Sequence, residues 1–454
     1  MAIGFDYGTA NCSVAHVVDQ QVVPIPLVGD QRYISSTLCA PTAETVSEYL
    51  FRCLNIRPSD ATGELVLRRA IELNREEGLE VRSDDVLFGM QALDHYLEDP
   101  KNVYYIKSPK SFLGAMGLRD VQLSFFEDLV CAMMANIKSR AEQHLQRDIS
   151  ETVIGRPVNF LGRGGERSNQ QAEGILRRAA TRAGFKSIEF QFEPVAAGLE
   201  YEATLTTAQN VLVVDIGGGT TDCSMIQMGP QWVGKTARDE TLLAHTGQLV
   251  GGNDLDTHIA FHNFMREFGL GSNGGKGADI PQTQFWNPIM ISDVQAQRTF
   301  YSRENLQHLQ RMLKQSTTPH YLQRLIAVHQ GALGYGIVRE AEKAKIALEQ
   351  SDLYCAHLNL LIEQLDIPVA RSHMEAALEK PVSKMVALAK EAITQAGIQP
   401  DAIFMTGGSA RSHVLREAMT HVAPTTPIVS GSYFGSVTAG LARWAKNCYG
   451  SSTM

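Results

Sequence analysis

A glycine-containing turn between two apolar strands occurs twice in this 454-residue chain. Residues 3–18 read IGFDYGTANCSVAHVV, and residues 211–228 read VLVVDIGGGTTDCSMIQM. In both segments an apolar run ends at an aspartate (Asp6 or Asp215), glycine and threonine follow, and a second apolar run leaves the turn. Two short strands around such a turn are typical of a β-hairpin. The repeat predicts a chain built from two related halves.

The chemistry of these turns suits a phosphate group with a divalent cation. Glycine adds no side-chain bulk, so backbone N–H groups can approach an anion closely. Mg²⁺ prefers carboxylate and water oxygens, and the turn offers it the side-chain oxygens of Asp215, Asp222 and Thr220. A single copy would fit a structural hairpin with solvated aspartates equally well. Because there are two copies, we expect two lobes that clamp one phosphate chain.

Composition excludes several other classes of protein. The chain is long enough for two or three domains with real cores, and it contains no G-x-x-x-x-G-K-[ST] loop. The glycine-rich residues 271–279 have the wrong spacing for that loop and predict a flexible segment. A net charge of −8 without a basic stripe disfavours nucleic-acid binding.

Targeting signals and metal-binding patterns are also missing from the sequence. No apolar run is long enough to span a membrane, and the N-terminus lacks the pattern of a signal peptide. Seven cysteines without CxxC spacing indicate reduced thiols in a cytoplasmic protein. The histidines form no HExxH pattern, so we expect no metal cage built from protein side chains.

Two further positions allow either a functional or a structural interpretation. Lys107 ends the apolar run VYYIK, where an ammonium could reach a phosphate, although an ordinary surface lysine fits its spacing better. Glu193 precedes Pro194 at a predicted helix start, where a glutamate either caps the helix or faces a metal-bound water.

The second half of the chain adds two glycine pairs and several helices. Gly251-Gly252 precede a predicted helix, whose N-terminus would favour an anion. Residues 406–411 (TGGSAR) follow a predicted strand, and their glycines would let a base or ribose lie directly on the backbone. Helices are predicted over 120–147, 334–350 and 381–397, whereas 269–330 is the least periodic region.

Taken in order, these segments resemble the nucleotide-binding half of the DnaK-type 70-kilodalton heat-shock chaperones, within the actin-like ATPase superfamily. The resemblance covers nearly the whole chain and is closest to short YegD-type members. It rests on seven segments: IGFDYGTANCSV, VVDIGGGTTDCSM, FEPVAAGLEY, VGGNDLD, REAEKAKIALE, FMTGGSAR and FGSVTAGLA.

The resemblance implies an α/β fold with two actin-like lobes, a duplicated ribonuclease-H-like domain, and a nucleotide in the interlobe cleft. Lobe I would comprise residues 1–205 and lobe II residues 206–430. The C-terminal helix, 431–454, would pack back on lobe I.

The resemblance also implies ATP or ADP and Mg²⁺ as cofactors, with a role for each matching residue. Asp6, Glu193 and Asp215 would hold waters around Mg²⁺, and Lys107, Glu193, Asp215 and Thr220 would be catalytic. The phosphates would contact Gly8, Thr9, Gly217, Gly218 and Gly219. The adenosine would contact Glu342, Lys345, Gly407, Gly408, Ser409 and Arg411.

Some positions depart from the family pattern. Ala10 and Val195 replace threonines, Thr221 replaces an aromatic residue, and the arginine that couples the lobes could be Arg163 or Arg167. From the resemblance we expect no counterpart of the family's peptide-binding domain after the closing helix.

We therefore expect a slow Mg²⁺-dependent ATPase that acts as a chaperone-like nucleotide switch, with a co-chaperone or client protein as partner. We expect it to lack its own peptide-binding domain and to bind neither nucleic acid nor membrane. Two alternatives stay open: a sugar or polyol kinase of the same fold, with Asp215 as the base, and an actin-like filament protein.

Overall fold

A computed structural model describes residues 1–160, 164–235, 238–272, 280–431 and 435–450. Arg163 and most of the predicted flexible segment, 273–279, lie outside these residues. The strands are β1 (Ala2–Tyr7), β2 (Asn11–Val18), β3 (Gln21–Ile25), β4 (Tyr33–Ser35), β5 (Thr37–Ala40), β6 (Leu87–Phe88), β7 (Tyr104–Lys107), β8 (Glu151–Arg156), β9 (Ser187–Phe192), β10 (Gln209–Ile216), β11 (Thr221–Met228), β12 (Leu242–Gln248), β13 (Leu353–Asn359), β14 (Gln364–Ala370), β15 (Ala402–Thr406) and β16 (Ile428–Ser430).

Helices cover the large sheets and connect the strands. They are α1 (Ala43–Arg52), α2 (Ala61–Glu76), α3 (Met90–Glu98), α4 (Asp120–Leu145), α5 (Glu166–Arg182), α6 (Glu193–Glu202), α7 (Gly252–Ile259), α8 (Thr283–Trp286), α9 (Val294–Phe300), α10 (Arg303–Leu313), α11 (Pro319–Gly331), α12 (Gly334–Ala347), α13 (Arg371–Ala396), α14 (His413–Thr420) and α15 (Ser436–Tyr449). Among the described residues, no helix is long and apolar enough to cross a membrane.

Two large sheets share the same strand order. The first runs β3-β2-β1-β8-β9, with β4 also paired to β2, and the second runs β12-β11-β10-β15-β16. In each sheet the hairpin pair is antiparallel, and the strand on the other side of its first member is parallel. The predicted hairpins are confirmed as β1–β2 and β10–β11, and the prediction of a mixed α/β fold is confirmed with them. We call the parts built on these sheets the first lobe and the second lobe.

Each lobe has its own apolar core. Alternating strand residues such as Ile3 and Phe5 point into the first core, which also includes the small sheet β6-β5-β7 and helix α4. The second core includes Leu212 and Val214 of β10 together with α7, α12 and α13. Burial of apolar surface on this scale is the main favourable term for folding each lobe.

A third apolar cluster joins the lobes through α6 and α15. Helix α15 packs against β1, β2 and β8 and against α6, while α6 also packs against β10 and β11. A side-chain Cβ at Gly440 would lie 1.8 Å from the Ala196 carbonyl oxygen, so only glycine permits this helix crossing. The domain boundaries at residues 205 and 430 stay predictions.

Two helical regions differ from what the sequence predicts. Helix α13 begins at Arg371 and contains Pro381 in its interior, because buried Met374 and Leu378 extend its apolar stripe upstream of the proline. The region 269–330, predicted as the least periodic, contains helices α8 to α11. Helix α10 buries only Leu309 between polar residues, whereas α11 buries a broader face that includes Leu322, Leu325 and Val328.

Candidate functional site

A cavity of about 620 Å³ lies between the two lobes and contains most of the predicted site residues. Both hairpin turns, the N-terminal ends of α6 and α7, and the last turn of α12 contribute to its wall. The predicted residues that line it are Asp6, Gly8, Thr9, Glu193, Asp215, Gly217, Gly218, Thr220, Glu342, Lys345, Gly407, Gly408, Ser409 and Arg411. Lys107 and Gly219 are not among its lining residues.

The two hairpin turns face each other across one end of this cavity. A Cβ at Gly218 would lie 2.6 Å from the Cβ of Ala10, and one at Gly219 would lie 3.0 Å from Cγ2 of Thr9. Side chains at these glycines would therefore force the turns apart. Ala10, which replaces a family threonine, thus lies at the closest approach of the turns.

The carbonyl groups of both turns accept hydrogen bonds from the surrounding structure. Ser36 Oγ donates to the Gly8 carbonyl at 2.6 Å, and Ser108 Oγ donates to the Thr9 carbonyl at 2.5 Å. In the second turn, the N–H groups of Gly252 and Asn253 donate to the carbonyls of Gly217 and Gly218 at 2.9 and 2.7 Å. With these oxygens held, the turns can present N–H groups to an anion.

Carboxylates gather near the same end of the cavity: Asp215 and Asp222 are buried, and Asp6 is half-buried. Burial and the nearby charge of Glu193 raise the pKa of Asp6 to about 7, and the same causes raise the pKa of Asp222 to about 7. The pKa of Asp215 lies well above its usual value because of burial and the charges of Glu193, Asp222 and Asp6. Mutual repulsion of this kind favours an added cation.

Lys110 is the ammonium group placed among these carboxylates. Its Nζ lies 2.5 Å from Glu193 Oε1 and 3.3 Å from the Gly155 carbonyl, and its side chain is 5% exposed. Glu193 is the first residue of α6, and its side chain lines the main cavity, where its Oε1 accepts from Lys110. Of its two predicted interpretations, the structure therefore favours a residue facing the cavity.

The structure does not bring Lys107 to this cluster. Lys107 ends β7 and lines a different, smaller cavity. Ser108 then adopts a left-handed conformation with φ 59°, and a 3₁₀ turn, Pro109–Phe112, carries Lys110 to the carboxylates. Sequence reasoning missed Lys110. The Ser-Pro dipeptide after a strand was the available signal, since a proline at the start of a helical turn redirects the chain.

The opposite end of the cavity is formed by paired charged side chains and a glycine bend. Lys345 Nζ lies 2.6 Å from Asp256 Oδ1, and Glu342 accepts from Arg339 at 2.6 Å. Gly407 has φ 88°, and a Cβ there would lie 2.2 Å from the Ile216 carbonyl oxygen, so this bend requires glycine.

Three residues that sequence reasoning missed also line this end: Ile346, Glu349 and Gln350. The backbone N–H of His413 donates to Glu349 Oε2 at 3.1 Å, which holds that carboxylate in place. With an apolar side chain beside polar groups, this end suits a ring system, whereas the other end suits phosphates with a cation.

The donor set fits a hydrated metal ion rather than a directly caged one. Within the described ranges, no group of three or more histidine, cysteine or acidic side chains is placed to hold a metal directly. Mg²⁺ usually keeps several waters and takes few protein ligands. Asp6, Glu193 and Asp215 line one wall of the cavity, so they fit contacts made through such waters.

Comparison with known proteins identifies relatives among chaperones. The family model described as Hsp70 protein matches residues 119–278, which include Glu193, the second hairpin and Asp256. Proteins called chaperone protein HscA homolog from Rickettsia africae (strain ESF-5) and Rickettsia conorii (strain ATCC VR-613 / Malish 7) are 24% identical over 265 residues. A protein of the same name from Rickettsia felis (strain ATCC VR-1525 / URRWXCal2) is 25% identical. The first two matches cover 57% of this chain but only 37% of each relative.

Proposed function

This chain belongs to the Hsp70 family, and on that premise we propose that it is a Mg²⁺-dependent ATPase that acts as a nucleotide switch. Proteins of this family bind ATP and ADP, and the relatives are chaperones by name. One observation supports the proposal most strongly: two opposed glycine turns and a buried group of carboxylates form one end of a cavity between two lobes. The relatives do not favour a sugar kinase or a filament protein.

The phosphates would lie at the hairpin end of the cavity. Gly8, Thr9 and the backbone of 217–220 would contact them, and Asp6, Glu193 and Asp215 would hold the hydration waters of Mg²⁺. The bound ion would neutralise part of the phosphate charge. We assign the catalytic lysine to Lys110 rather than Lys107, because Lys110 lies beside Glu193.

Hydrolysis would depend on charge placement rather than on a covalent step. The Lys110 ammonium and the turn N–H groups would stabilise the negative charge that spreads in the transition state, while a positioned water attacks in line. Thr220 would contact the phosphate, and Asp215 would orient the water shell. Glu342, Lys345, Gly407, Gly408, Ser409 and Arg411 would surround the nucleoside.

The switch would operate through the relative position of the lobes. Closure on ATP and opening after hydrolysis would change a surface that a co-chaperone or client protein reads. A cytoplasmic location belongs to the same proposal.

Titration calorimetry with ATP at millimolar Mg²⁺, together with phosphate-release assays, tests the enzymatic part. We expect binding and slow turnover in the native protein, and loss of Mg²⁺-dependent turnover in Asp215→Asn. Asp352→Asn is the matched control, because the Asp352 side chain is 94% exposed. Absence of ATP binding would refute the proposal. Capture of partners by ATP-loaded and ADP-loaded protein tests the switch, which requires the two sets to differ.

A further inference from the structure

The end of strand β8 lies beside both groups that hold Lys110. Gly155 and Arg156 are the last two residues of β8, and Arg156 pairs in parallel register with Phe192 of β9. The Gly155 carbonyl accepts from Lys110 Nζ at 3.3 Å. Glu193, the other partner of Lys110, directly follows Phe192 in the chain. Arg156 therefore adjoins both partners of Lys110 along the two strands.

The neighbours of Arg156 in the chain offer little to fix this strand end. Gly155 has no side chain, and a Cβ there would lie 3.2 Å from Cγ of Glu193, so the Glu193 side chain packs directly on the backbone. Pro157, which follows, has no N–H group to donate. Among these three consecutive residues, only Arg156 has a long polar side chain that can anchor the end of β8.

The Arg156 guanidinium is mostly buried and contacts a carboxylate and two aromatic rings. Its Nη1 lies 2.6 Å from Oε2 of Glu173 on α5, and its side chain is 15% exposed. Its Cζ lies over the rings of Phe160 and Phe192, 5.4 and 5.1 Å from their centroids, within the range of cation–π attraction. Because α5 also holds the Phe160 N–H, through Asn169 Oδ1 at 2.8 Å, Arg156 ties the ends of β8 and β9 to one helix.

The planar guanidinium is important for this arrangement. It can pair with a carboxylate and stack on an aromatic face at the same time, which an ammonium does less well. Without it, the Glu173 carboxylate would lose its closest cation, and space would open beside the half-buried Phe192 ring. Phe192 could then turn, and the backbone that leads into Glu193 would move with it. A displacement of about 1 Å far from the reacting atoms can slow a reaction about 100-fold.

We propose that Arg156 is a positioning residue that holds Lys110 and Glu193 in the geometry needed for hydrolysis. Arg156 is not one of the described residues that line the main cavity, so it acts through these two groups and not on the nucleotide. The inference rests on the proposed function, because it requires that Lys110 act in ATP hydrolysis. The effect of Arg156 falls on the hydrolysis rate and leaves nucleotide affinity nearly unchanged.

The experiment compares single-turnover hydrolysis of Mg²⁺-ATP by native protein and by Arg156→Met. We expect the rate to fall between about 10-fold and about 100-fold. The ATP dissociation constant from calorimetry should change only a few-fold. Arg156→Lys keeps a charge beside Glu173 but not the planar group, so its rate should lie between those of the two proteins. Arg156→Lys also serves if Arg156→Met does not fold.

Arg177→Met is the matched control. Arg177 also pairs with Glu173, at 3.3 Å, and its Cζ lies 4.9 Å from the centroid of the Phe190 ring, on the same strand β9. Phe190, however, is not next to Glu193 in the chain. Hydrolysis by Arg177→Met should therefore stay near the native rate.

Two further measurements distinguish positioning from a general structural role. In a double-mutant cycle, adding Arg156→Met to Lys110→Met should slow hydrolysis far less than it does in the native background, because the group that Arg156 positions is already absent. In a crystal structure of nucleotide-free Arg156→Met, the contact between Lys110 Nζ and Glu193 Oε1, which is 2.5 Å in the native protein, should be longer by about 1 Å.

Hydrolysis at the native rate in folded Arg156→Met would overturn the inference. An equal loss of rate in Arg177→Met, or an equal effect of Arg156→Met in the Lys110→Met background, would overturn it as well. If native protein bound no nucleotide at all, the proposed function would fail instead. The crystal structure would still decide whether Arg156 holds Lys110, since an unchanged contact with Glu193 there contradicts the inference.

Discussion

Lys110 is the cation that the buried carboxylates of the main cavity share. Its charge lowers the pKa values of Asp6, Asp215 and Asp222, but burial and mutual repulsion still leave all three pKa values raised. One ammonium is therefore too little positive charge for this group of acids. A phosphate chain alone would worsen the repulsion, which is the physical reason to expect a divalent cation with it.

Replacement of this lysine should stop hydrolysis while leaving nucleotide binding largely intact. In Lys110→Met we expect the single-turnover rate to fall on the order of 100-fold or more, because a charge that stabilises the transition state is lost. ATP affinity should change only a few-fold, since the turns and the nucleoside contacts remain. Quench-flow measurement of hydrolysis and calorimetry of binding check both expectations.

Lys138→Met is the control for this prediction, because Lys138 is also partly buried and paired with a glutamate, but on α4. A Lys110→Met protein that folds and hydrolyses ATP at the native rate would show that the lysine assignment is wrong.

The raised pKa values also predict how stability depends on pH in the absence of metal. Asp6 and Asp222 titrate near 7 in the folded protein but near 3.8 when exposed, so the folded state binds more protons between these values. The free energy of unfolding should therefore fall as pH rises from about 4 through 7, by up to about 1.4 kcal/mol per pH unit for each carboxyl. Thermal unfolding in EDTA at pH 5.5 and pH 8 measures this.

Asp6→Asn provides the comparison, since it removes one titrating group. Its unfolding should depend less on pH than that of the native protein, and Mg²⁺ should raise the native melting temperature more at pH 8 than at pH 5.5. Identical pH profiles for the two proteins would argue against the raised pKa of Asp6.

At the level of elements, the close approach of the two hairpins determines the shape of the phosphate end. Gly218 lies against Ala10, and the N-terminal turn of α7 donates to the Gly217 and Gly218 carbonyls. The turns therefore depend on each other and on α7 for their conformation. A substitution at this contact should weaken ligand binding without unfolding the protein.

Gly218→Ala tests this dependence. The added methyl would lie 2.6 Å from the Ala10 Cβ, so the hairpins must separate. We expect ATP affinity to fall at least about tenfold, with a stability loss of about 1–3 kcal/mol from overpacking. Calorimetry of ATP binding and chemical denaturation measure the two effects.

The matched glycine is Gly336 of α12, where an added Cβ meets nothing within 4 Å. Gly336→Ala should raise stability by about 0.5–1 kcal/mol, because alanine loses less backbone entropy in a helix. Equal ATP affinity in Gly218→Ala and native protein would contradict the proposed contact of the turns with phosphate.

The elements that could be predicted from sequence are those whose signal is local. The hairpin at 211–228 has apolar runs on both sides of its glycines, and the structure pairs Asp215 with Asp222 across it. Helix α13 was only partly predictable, because Pro381 is typical of a helix start but tertiary packing extends the helix upstream. The Ser-Pro dipeptide after Lys107 indicates only that the chain changes direction there, because Glu193, which distinguishes Lys110 from Lys107, lies 83 positions from Lys110.

At the level of the whole molecule, the lobes have separate cores but share one apolar cluster. Helices α6 and α15 form that cluster between the two sheets, and Gly440 allows them to cross closely. On the other side of the cleft, the lobes meet at Tyr96, Tyr105 and Tyr335. A ligand in the main cavity would touch both lobes, so it should stabilise them together.

Calorimetric unfolding with and without Mg²⁺-ADP tests this coupling. Without nucleotide, the two cores should unfold in a broad or split transition, because few contacts outside the shared cluster join them. At a thousandfold excess over the dissociation constant, a ligand that binds only the folded state adds about 4 kcal/mol to the unfolding free energy. Because that ligand needs both lobes, we expect both melting temperatures to rise and the two transitions to merge into one.

Gly440→Ala should lower both melting temperatures through the clash with Ala196, and Mg²⁺-ADP should still raise them. A shift confined to one transition would place the nucleotide on a single lobe and contradict a site built from both.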